Sequence, residues 1–125
     1  MPLPRVTLGA VNMEATDPAS LAAFWAAATG GTPAAAGVTV YLPPAGPGGF
    51  AMFFQPMSEP RPERQTIHLD LTVPWGERVG EVERLQALGA TWRWDVLDEV
   101  PHVQWTTMAD PEGNPFCVAE HPPST

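Results

Sequence analysis

The chain has 125 residues, 44% of them hydrophobic, which suits one globular domain with a hydrophobic core. It has 14 acidic residues and 6 Lys and Arg, so the net charge is −8. Because nucleic acids and anionic membranes are also negatively charged, we do not expect either as a partner. The single cysteine, Cys117, excludes an internal disulfide. Since the sequence also lacks a membrane-length apolar stretch and a secretory-signal pattern, we expect a cytoplasmic protein.

The first half of the sequence reads as a strand, a helix and further strands. RVTLGAVNMEA, from Arg5 to Ala15, is a β-type run. The TDP that follows favours a helix start, because Asp17 can cap the first turn and proline is tolerated there. Gly30 is the expected helix end. The apolar stripe of this helix is Leu21, Phe24, Trp25 and Ala28. GTPAAAG, VTVYLPP and GFAMFFQPM are then the predicted strands.

The second half repeats this order. A strand is predicted through Val73, then a helix that Gly89 ends, then strands in ATWRWDV, HVQWTTMA and PFCVAE. The helical face is predicted to consist of Val79, Val82, Leu85 and Leu88. Asp17 and Trp75, at the two helix starts, are 58 positions apart, and the closing glycines are 59 apart. This nearly constant spacing indicates a duplicated module.

The repeat predicts the domain organisation. We expect a single domain over residues 1–125, with modules at 5–57 and 64–121 and a linker at 58–63. The order βαβββ–βαβββ indicates an α+β fold with helices on one side of a curved sheet.

MADPEGNPFCV, from Met108 to Val118, has two interpretations. Two acids and a cysteine within a short stretch could belong to a metal site. The same residues also suit a hairpin turn, because Asp110 can accept hydrogen bonds from the turn backbone and Gly113 can adopt positive φ. We expect a structural turn between the last two strands rather than a group that takes part in catalysis.

Three segments make this sequence resemble the vicinal oxygen chelate superfamily, the glyoxalase/bleomycin-resistance/dioxygenase group. They are TDPASLAAFWAAATGG, IHLDLTV and MADPEGNPFCV, and the second and third most resemble small actinobacterial glyoxalase-like proteins. The resemblance implies two βαβββ modules forming a curved mixed sheet with a cup-shaped cavity. It also implies a homodimer, and in metal-dependent members a divalent ion held by one side chain from each of four strands.

Those four metal positions can be matched to this sequence. They fall on Ala10, Gln55, His68 and Cys117. Ala10 has no ligand atom and Gln55 is a weak neutral donor, which leaves two good ligands where catalytic sites generally have three. We therefore expect no cofactor. A divalent metal held by substitute ligands stays open, and the candidates for that substitution are Asn12, Glu14 and Asp70.

Strand alternation selects the remaining candidates. Asn12 and Glu14 are expected on one face of their strand, and His68 and Asp70 on one face of another. Phe53 is expected on the same strand face as Gln55. Trp92 and Trp94 are expected to share a face of their strand, and Trp94 and Trp105 are the aromatic pocket candidates. Cys117 is expected to be a buried, inert thiol. The ligand-binding prediction is Asn12, Glu14, Phe53, Gln55, His68, Asp70, Trp94, Trp105 and Cys117.

Three functions remain in competition. The first is metal-free binding of a small organic molecule in the cavity, which we favour because the metal positions are depleted. The second is a metal-dependent lyase, isomerase or dioxygenase that uses His68. The third is a metal-free acid–base enzyme in which His68, Glu14 or Asp70 is catalytic. A hydrogen-bonded polar network is the simpler interpretation of His68 and Asp70.

Overall fold

The computed structural model describes residues 5–123. The chain divides into two compact units, the first ending at Pro60 and the second beginning at Arg61. Each unit contains one helix and one four-stranded mixed sheet. The predicted α+β fold of two βαβββ modules is therefore confirmed. Neither helix in the described part of the chain is long and apolar enough to cross a membrane.

The first unit contains four strands and one helix. They are β1 (Val11–Ala15), α1 (Pro18–Thr29), β2 (Ala34–Ala36), β3 (Thr39–Leu42) and β4 (Met52–Pro56). The strand order is β1-β4-β3-β2, in which β1 runs parallel to β4 and the other pairs are antiparallel. Of the β-type run that begins at Arg5, only Val11–Ala15 pairs as a strand.

Helix α1 has the ends that its sequence predicts. The Asp17 Oδ1 atom accepts a hydrogen bond from the Ser20 backbone N at 3.1 Å, which satisfies one of the unpaired N–H groups of the first turn. Gly30 ends the helix with φ of +101° and donates its N–H to Ala26 O. The buried residues of α1 are Leu21, Ala22, Phe24 and Trp25. The predicted stripe is thus confirmed except for Ala28, which is half-buried.

The second unit repeats the topology of the first. Its elements are β5 (Leu69–Val73), α2 (Arg78–Leu88), β6 (Thr91–Val96), β7 (Gln104–Ala109) and β8 (Pro115–Glu120). The strand order β5-β8-β7-β6 matches β1-β4-β3-β2 element by element, again with one parallel pair, β5 and β8. The shared order confirms that the sequence contains a duplicated module.

The predicted apolar face of α2 is partly wrong. Val82 and Leu85 are buried, but Val79 is 57% exposed and Leu88 is 38% exposed. Their separation of nine residues corresponds to about two and a half helical turns, so the two side chains point in opposite directions. Arg78, four residues before Val82, occupies the inner face instead and is buried.

Arg78 reaches a polar network beneath the second sheet. Its Nη1 atom donates to Thr106 Oγ1 at 2.6 Å and to Asp95 Oδ1 at 3.4 Å, and its Nε atom lies 3.1 Å from Glu120 Oε2. The Nε–Glu120 contact is an ion pair without hydrogen-bond geometry, so Nε has no hydrogen-bond partner. Both the arginine and Glu120 are buried, so their charges depend on each other for compensation.

The DPEGN turn is structural, as the sequence predicts. Asp110 is buried and accepts hydrogen bonds from the backbone N of Glu112 at 2.9 Å and of Asn114 at 3.0 Å. Its other carboxylate oxygen accepts from Asn114 Nδ2 at 2.8 Å, and Gly113 has φ of +88°. Arg61 contacts both Glu112 and Asn114, so the turn also anchors the segment that leads to β5. MADPEGNPFCV therefore supports the second unit through its turn.

The expected common face of Trp92 and Trp94 is wrong. A bulge in β6 shifts the register between them, so Trp92 pairs with Met108 and Trp94 pairs with Thr107. Because Thr107 and Met108 are consecutive on β7, their side chains point to opposite faces of the sheet. Trp92 Nε1 donates to Asp95 Oδ1 at 3.2 Å, on the side that faces α2. Only Trp94 is directed to the other face.

Candidate functional site

The second sheet carries a cavity of about 580 Å³ on the face turned away from α2. Alternate residues of β5, β7 and β8 line it, while their neighbours in sequence, such as Phe116 and Val118, are buried on the helix side. The bulge in β6 adds Trp94 to this lining. The predicted ligand-binding residues of the second half all lie on the lining, namely His68, Asp70, Trp94, Trp105 and Cys117.

A polar cluster occupies part of this lining. His68 Nε2 lies 3.2 Å from Asp70 Oδ1, and the ligand atoms of His68, Asp70 and Cys117 lie within 4.8 Å of one another. Strand register explains this convergence, since Asp70 on β5 is the direct partner of Cys117 on β8. Thr107 on β7 is the other partner of Cys117, and its Oγ1 lies 3.3 Å from the Cys117 Sγ. Three strands, together with His68 immediately before β5, thus bring four polar side chains to one place.

Cys117 is the buried member of this cluster. Burial raises the pKa of its thiol above the ordinary value, because the thiolate would lose its hydration. The hydrogen bond with Thr107 opposes that rise in pKa, whereas the carboxylate of Asp70 adds to it. The free protein therefore favours the neutral thiol.

The predicted residues of the first half lie in the first unit. Asn12 and Glu14 on β1 are paired in register with Phe53 and Gln55 on β4, so all four are on the same face of the first sheet. Gln55 Nε2 donates to Asn12 Oδ1 at 2.9 Å. Glu14 Oε1 accepts from the Ser58 backbone N at 3.1 Å and from its Oγ at 3.3 Å. These polar side chains are thus engaged with neighbours in their own unit.

A smaller cavity of about 350 Å³ lies at the loop between β6 and β7. Two residues of that loop, Asp98 and His102, have positive φ of 58° and 66°, which is unusual outside glycine. His102 and His121 are both exposed. His121 Nδ1 lies 3.1 Å from His102 O, and its side chain also reaches the larger cavity.

Sequence reasoning missed two features of the larger cavity. Thr107 was not among its candidates, although it is two residues from Trp105 and therefore on the same strand face. The joint position of Asp70 and Cys117 was also missed, because it depends on the parallel pairing of β5 with β8. Alternation could have revealed Thr107, whereas no local pattern reveals a cross-strand register.

The four metal positions implied by the resemblance do not fit a metal ion in this chain. Ala10 has no ligand atom, and Gln55 offers only a neutral amide oxygen, which is a weak ligand. A different trio, in which Asp70 joins His68 and Cys117, does present an imidazole, a carboxylate and a thiol to one point. These are three residue types that bind divalent metals.

Comparison with known proteins decides the family. The sequence matches the glyoxalase-like domain over residues 10–119. The chain belongs to this glyoxalase-like family. The resemblance to the glyoxalase/bleomycin-resistance/dioxygenase group is therefore confirmed. No protein of curated function matches the sequence.

Solved structures share the fold at low sequence identity. A glyoxalase/bleomycin resistance protein/dioxygenase family enzyme from Burkholderia phytofirmans PsJN has a TM-score of 0.78 and 20% identity, over 94% of this chain and 100% of that one. The fosfomycin resistance protein FosX from Listeria monocytogenes has a TM-score of 0.76 and 14% identity, over 94% of each chain. A mutant of that Listeria protein, in complex with Mn(II) and dihydroxypropylphosphonic acid, has a TM-score of 0.72 and 13% identity over 95% of this chain and 90% of that one.

Proposed function

We propose that this glyoxalase-like protein binds a small organic molecule in the cavity of its second unit. The observation that carries this proposal is a cavity of about 580 Å³ lined by two indole rings and a polar cluster. Small-molecule sites typically have volumes of roughly 300–1,000 Å³, with mostly apolar walls and a few polar groups that orient the ligand. Trp94 and Trp105 would supply the apolar contact, and His68 and Asp70 the polar contact.

The charge of the lining favours an uncharged or cationic ligand. Asp70 is the one acidic residue among the described residues that line the cavity, and no Lys or Arg lies among them. A carboxylate beside two indole rings attracts an organic cation through both ion pairing and cation–π contact. The phosphonic acid bound by the Listeria mutant is an anion, and a comparable anion would lack a cationic side chain in this lining.

Three matched probes test the proposal: naphthylethylamine, naphthylethanol and naphthylacetate, each titrated by calorimetry in the presence of a chelator. They share one aromatic ring system and differ in charge. We expect saturable binding of the amine and the alcohol, with the acetate weakest, because only the acetate is repelled by Asp70. Failure of all three to bind, or tightest binding by the acetate, would contradict the proposal.

A pair of tryptophan variants supplies the control. Trp94→Ala should weaken binding of the alcohol by roughly three- to tenfold, because it removes an aromatic contact. Trp92→Ala should leave that affinity unchanged. Both rings are about half exposed and they are two residues apart, but only Trp94 faces the cavity. Equal effects of the two substitutions would place the ligand elsewhere.

A metal-dependent lyase, isomerase or dioxygenase that uses His68 is the second candidate function. It is favoured by the convergence of His68, Asp70 and Cys117 in the cavity. A metal-free acid–base enzyme is the third, favoured by the 3.2 Å contact between His68 Nε2 and Asp70 Oδ1. Analysis of products after incubation with a bound ligand, with and without a chelator, separates these two functions from simple binding.

We further propose a homodimer that resides in the cytoplasm. The family resemblance supports pairing, and the exposed side chains of Trp92 and Val79 offer apolar area for contact between copies. Sedimentation velocity should report a mass of about 27 kDa, twice the chain mass of 13.4 kDa. A single species at the chain mass over the micromolar concentration range would contradict the dimer.

A further inference from the structure

The cluster in the second unit has the composition of a site for a zinc-like ion. His68 supplies an imidazole nitrogen, Asp70 a carboxylate oxygen and Cys117 a sulfur, all within 4.8 Å of one another. Imidazole and thiolate are ligands that Zn²⁺ prefers, whereas Mn²⁺ and Mg²⁺ prefer sites made of oxygen atoms. Three protein ligands and one open position are typical of catalytic zinc sites.

We infer that His68, Asp70 and Cys117 together bind a thiophilic divalent cation, Zn²⁺ or Co²⁺, in the cavity of the second unit. This set differs from the four positions that the family resemblance implies. Asp70 is not one of those positions, and the set needs no residue of the first unit. The inference does not rest on the proposed organic ligand, because the three side chains would hold the ion in an otherwise empty cavity.

Strand register provides the framework for this site. Asp70 and Cys117 are direct partners in the parallel pair of β5 and β8, and His68 is two residues from Asp70 on the same face. The His68 and Asp70 side chains are largely exposed, so they can adjust to metal–ligand distances of roughly 2.0–2.3 Å. The Cys117 backbone is held in the middle of the sheet, between β5 and β7.

Charge balance also favours a divalent ion. Binding releases the thiol proton of Cys117 to solvent, and the resulting thiolate and the Asp70 carboxylate together neutralise the two positive charges of the ion. The occupied site is therefore neutral and consistent with the preference of the cavity for uncharged or cationic molecules. The hydroxyl of Thr107, 3.3 Å from Sγ, can donate a hydrogen bond to the thiolate.

Cobalt titration tests the inference directly. Protein without a histidine tag is stripped with a chelator, kept under reducing and anaerobic conditions, and titrated with Co²⁺ without any organic ligand. We expect one equivalent to bind and to produce a sulfur-to-cobalt charge-transfer band, which Zn²⁺ then abolishes by displacing the cobalt. Mn²⁺ should displace cobalt at least a hundredfold less effectively than Zn²⁺.

Variants assign the ligands. Cys117→Ser should abolish the charge-transfer band, and His68→Ala and Asp70→Asn should each weaken cobalt binding at least tenfold. His121→Gln is the matched control, because His121 lines the same cavity but is not one of the three ligands. Far-ultraviolet circular dichroism of every variant verifies that it is folded before its affinity is compared.

Several outcomes would overturn the inference. They are the absence of a cobalt band in the folded wild-type protein, an unchanged band in Cys117→Ser, and a loss of binding in His121→Gln equal to that in His68→Ala. Because the naphthyl probes are titrated in chelator and cobalt is titrated without probes, failure of the metal site and failure of the organic site give separate results.

Discussion

Arg78 provides the sharpest test of how the second unit is stabilised. Its side chain is 9% exposed and that of its partner Glu120 is 6% exposed, so the Arg78→Ala substitution leaves a carboxylate buried without its counter-charge. Removal of one member of a buried ion pair typically costs about 3–5 kcal/mol of folding free energy. That loss would be a large fraction of the roughly 5–15 kcal/mol by which domains are stable.

Arg84 on the same helix is the matched control. It pairs with Glu81 at the surface, where the two side chains are 44% and 27% exposed. Exposed pairs of this kind contribute about 0.5 kcal/mol or less, because water screens the charges. Urea unfolding should therefore show a much lower midpoint for Arg78→Ala than for Arg84→Ala, at a similar slope.

A further pair of variants separates charge from packing. Arg78→Met retains much of the apolar stem, so it should still destabilise strongly through the uncompensated Glu120. The double variant Arg78→Met/Glu120→Gln removes both charges and should recover most of the lost stability. Equal unfolding free energies for Arg78→Ala and Arg84→Ala would refute this account. A small loss of unfolding free energy in Arg78→Met would show that Arg78 stabilises the unit through packing rather than charge.

Two further substitutions test the backbone of the fold by thermal and urea unfolding. Gly80→Ala should stabilise the protein by about 0.5–1 kcal/mol, because Gly80 is helical and exposed and a new Cβ would contact nothing within 4 Å. Gly113→Ala should instead destabilise it, because φ is +88°, and the same sign for both changes would contradict this reasoning. Asp17→Ala should cost about 1 kcal/mol through loss of the helix cap, whereas Asp17→Asn should cost little. Equal losses for the two Asp17 variants would argue against the cap.

The elements of the fold could be predicted because their signals are local. Capping by Asp17, the glycines at both helix ends and the strand-length apolar runs each act within a few residues. The face of α2 was predicted wrongly because a spacing of three residues drifts around the helix. The acid Glu120 lies on the same face of β8 as the buried Phe116 and Val118, which is a signal that a cation such as Arg78 must lie opposite.

The candidate site could be predicted only as far as strand alternation extends. Alternation places His68 with Asp70, and Cys117 on its own strand, on lining faces of the second sheet. It fails at Trp92 and Trp94, because the extra residue of a bulge reverses the face of every later side chain on that strand. The position of the bulge depends on how β6 pairs with β7. The short sequence between the two tryptophans does not indicate that pairing.

The set of metal ligands also depends on strand pairing, which has no local signal in the sequence. Among the four positions implied by the resemblance, only His68 and Cys117 are good ligands, because Ala10 has no ligand atom and Gln55 is a weak donor, and Asp70 was one of three substitute candidates. The parallel pairing of β5 with β8 places Asp70 directly opposite Cys117, and the count at that point in the cavity becomes three. The metal site that we infer therefore uses ligands from the second module alone. In this protein the number of ligands depends on strand register and cannot be obtained from residue types alone.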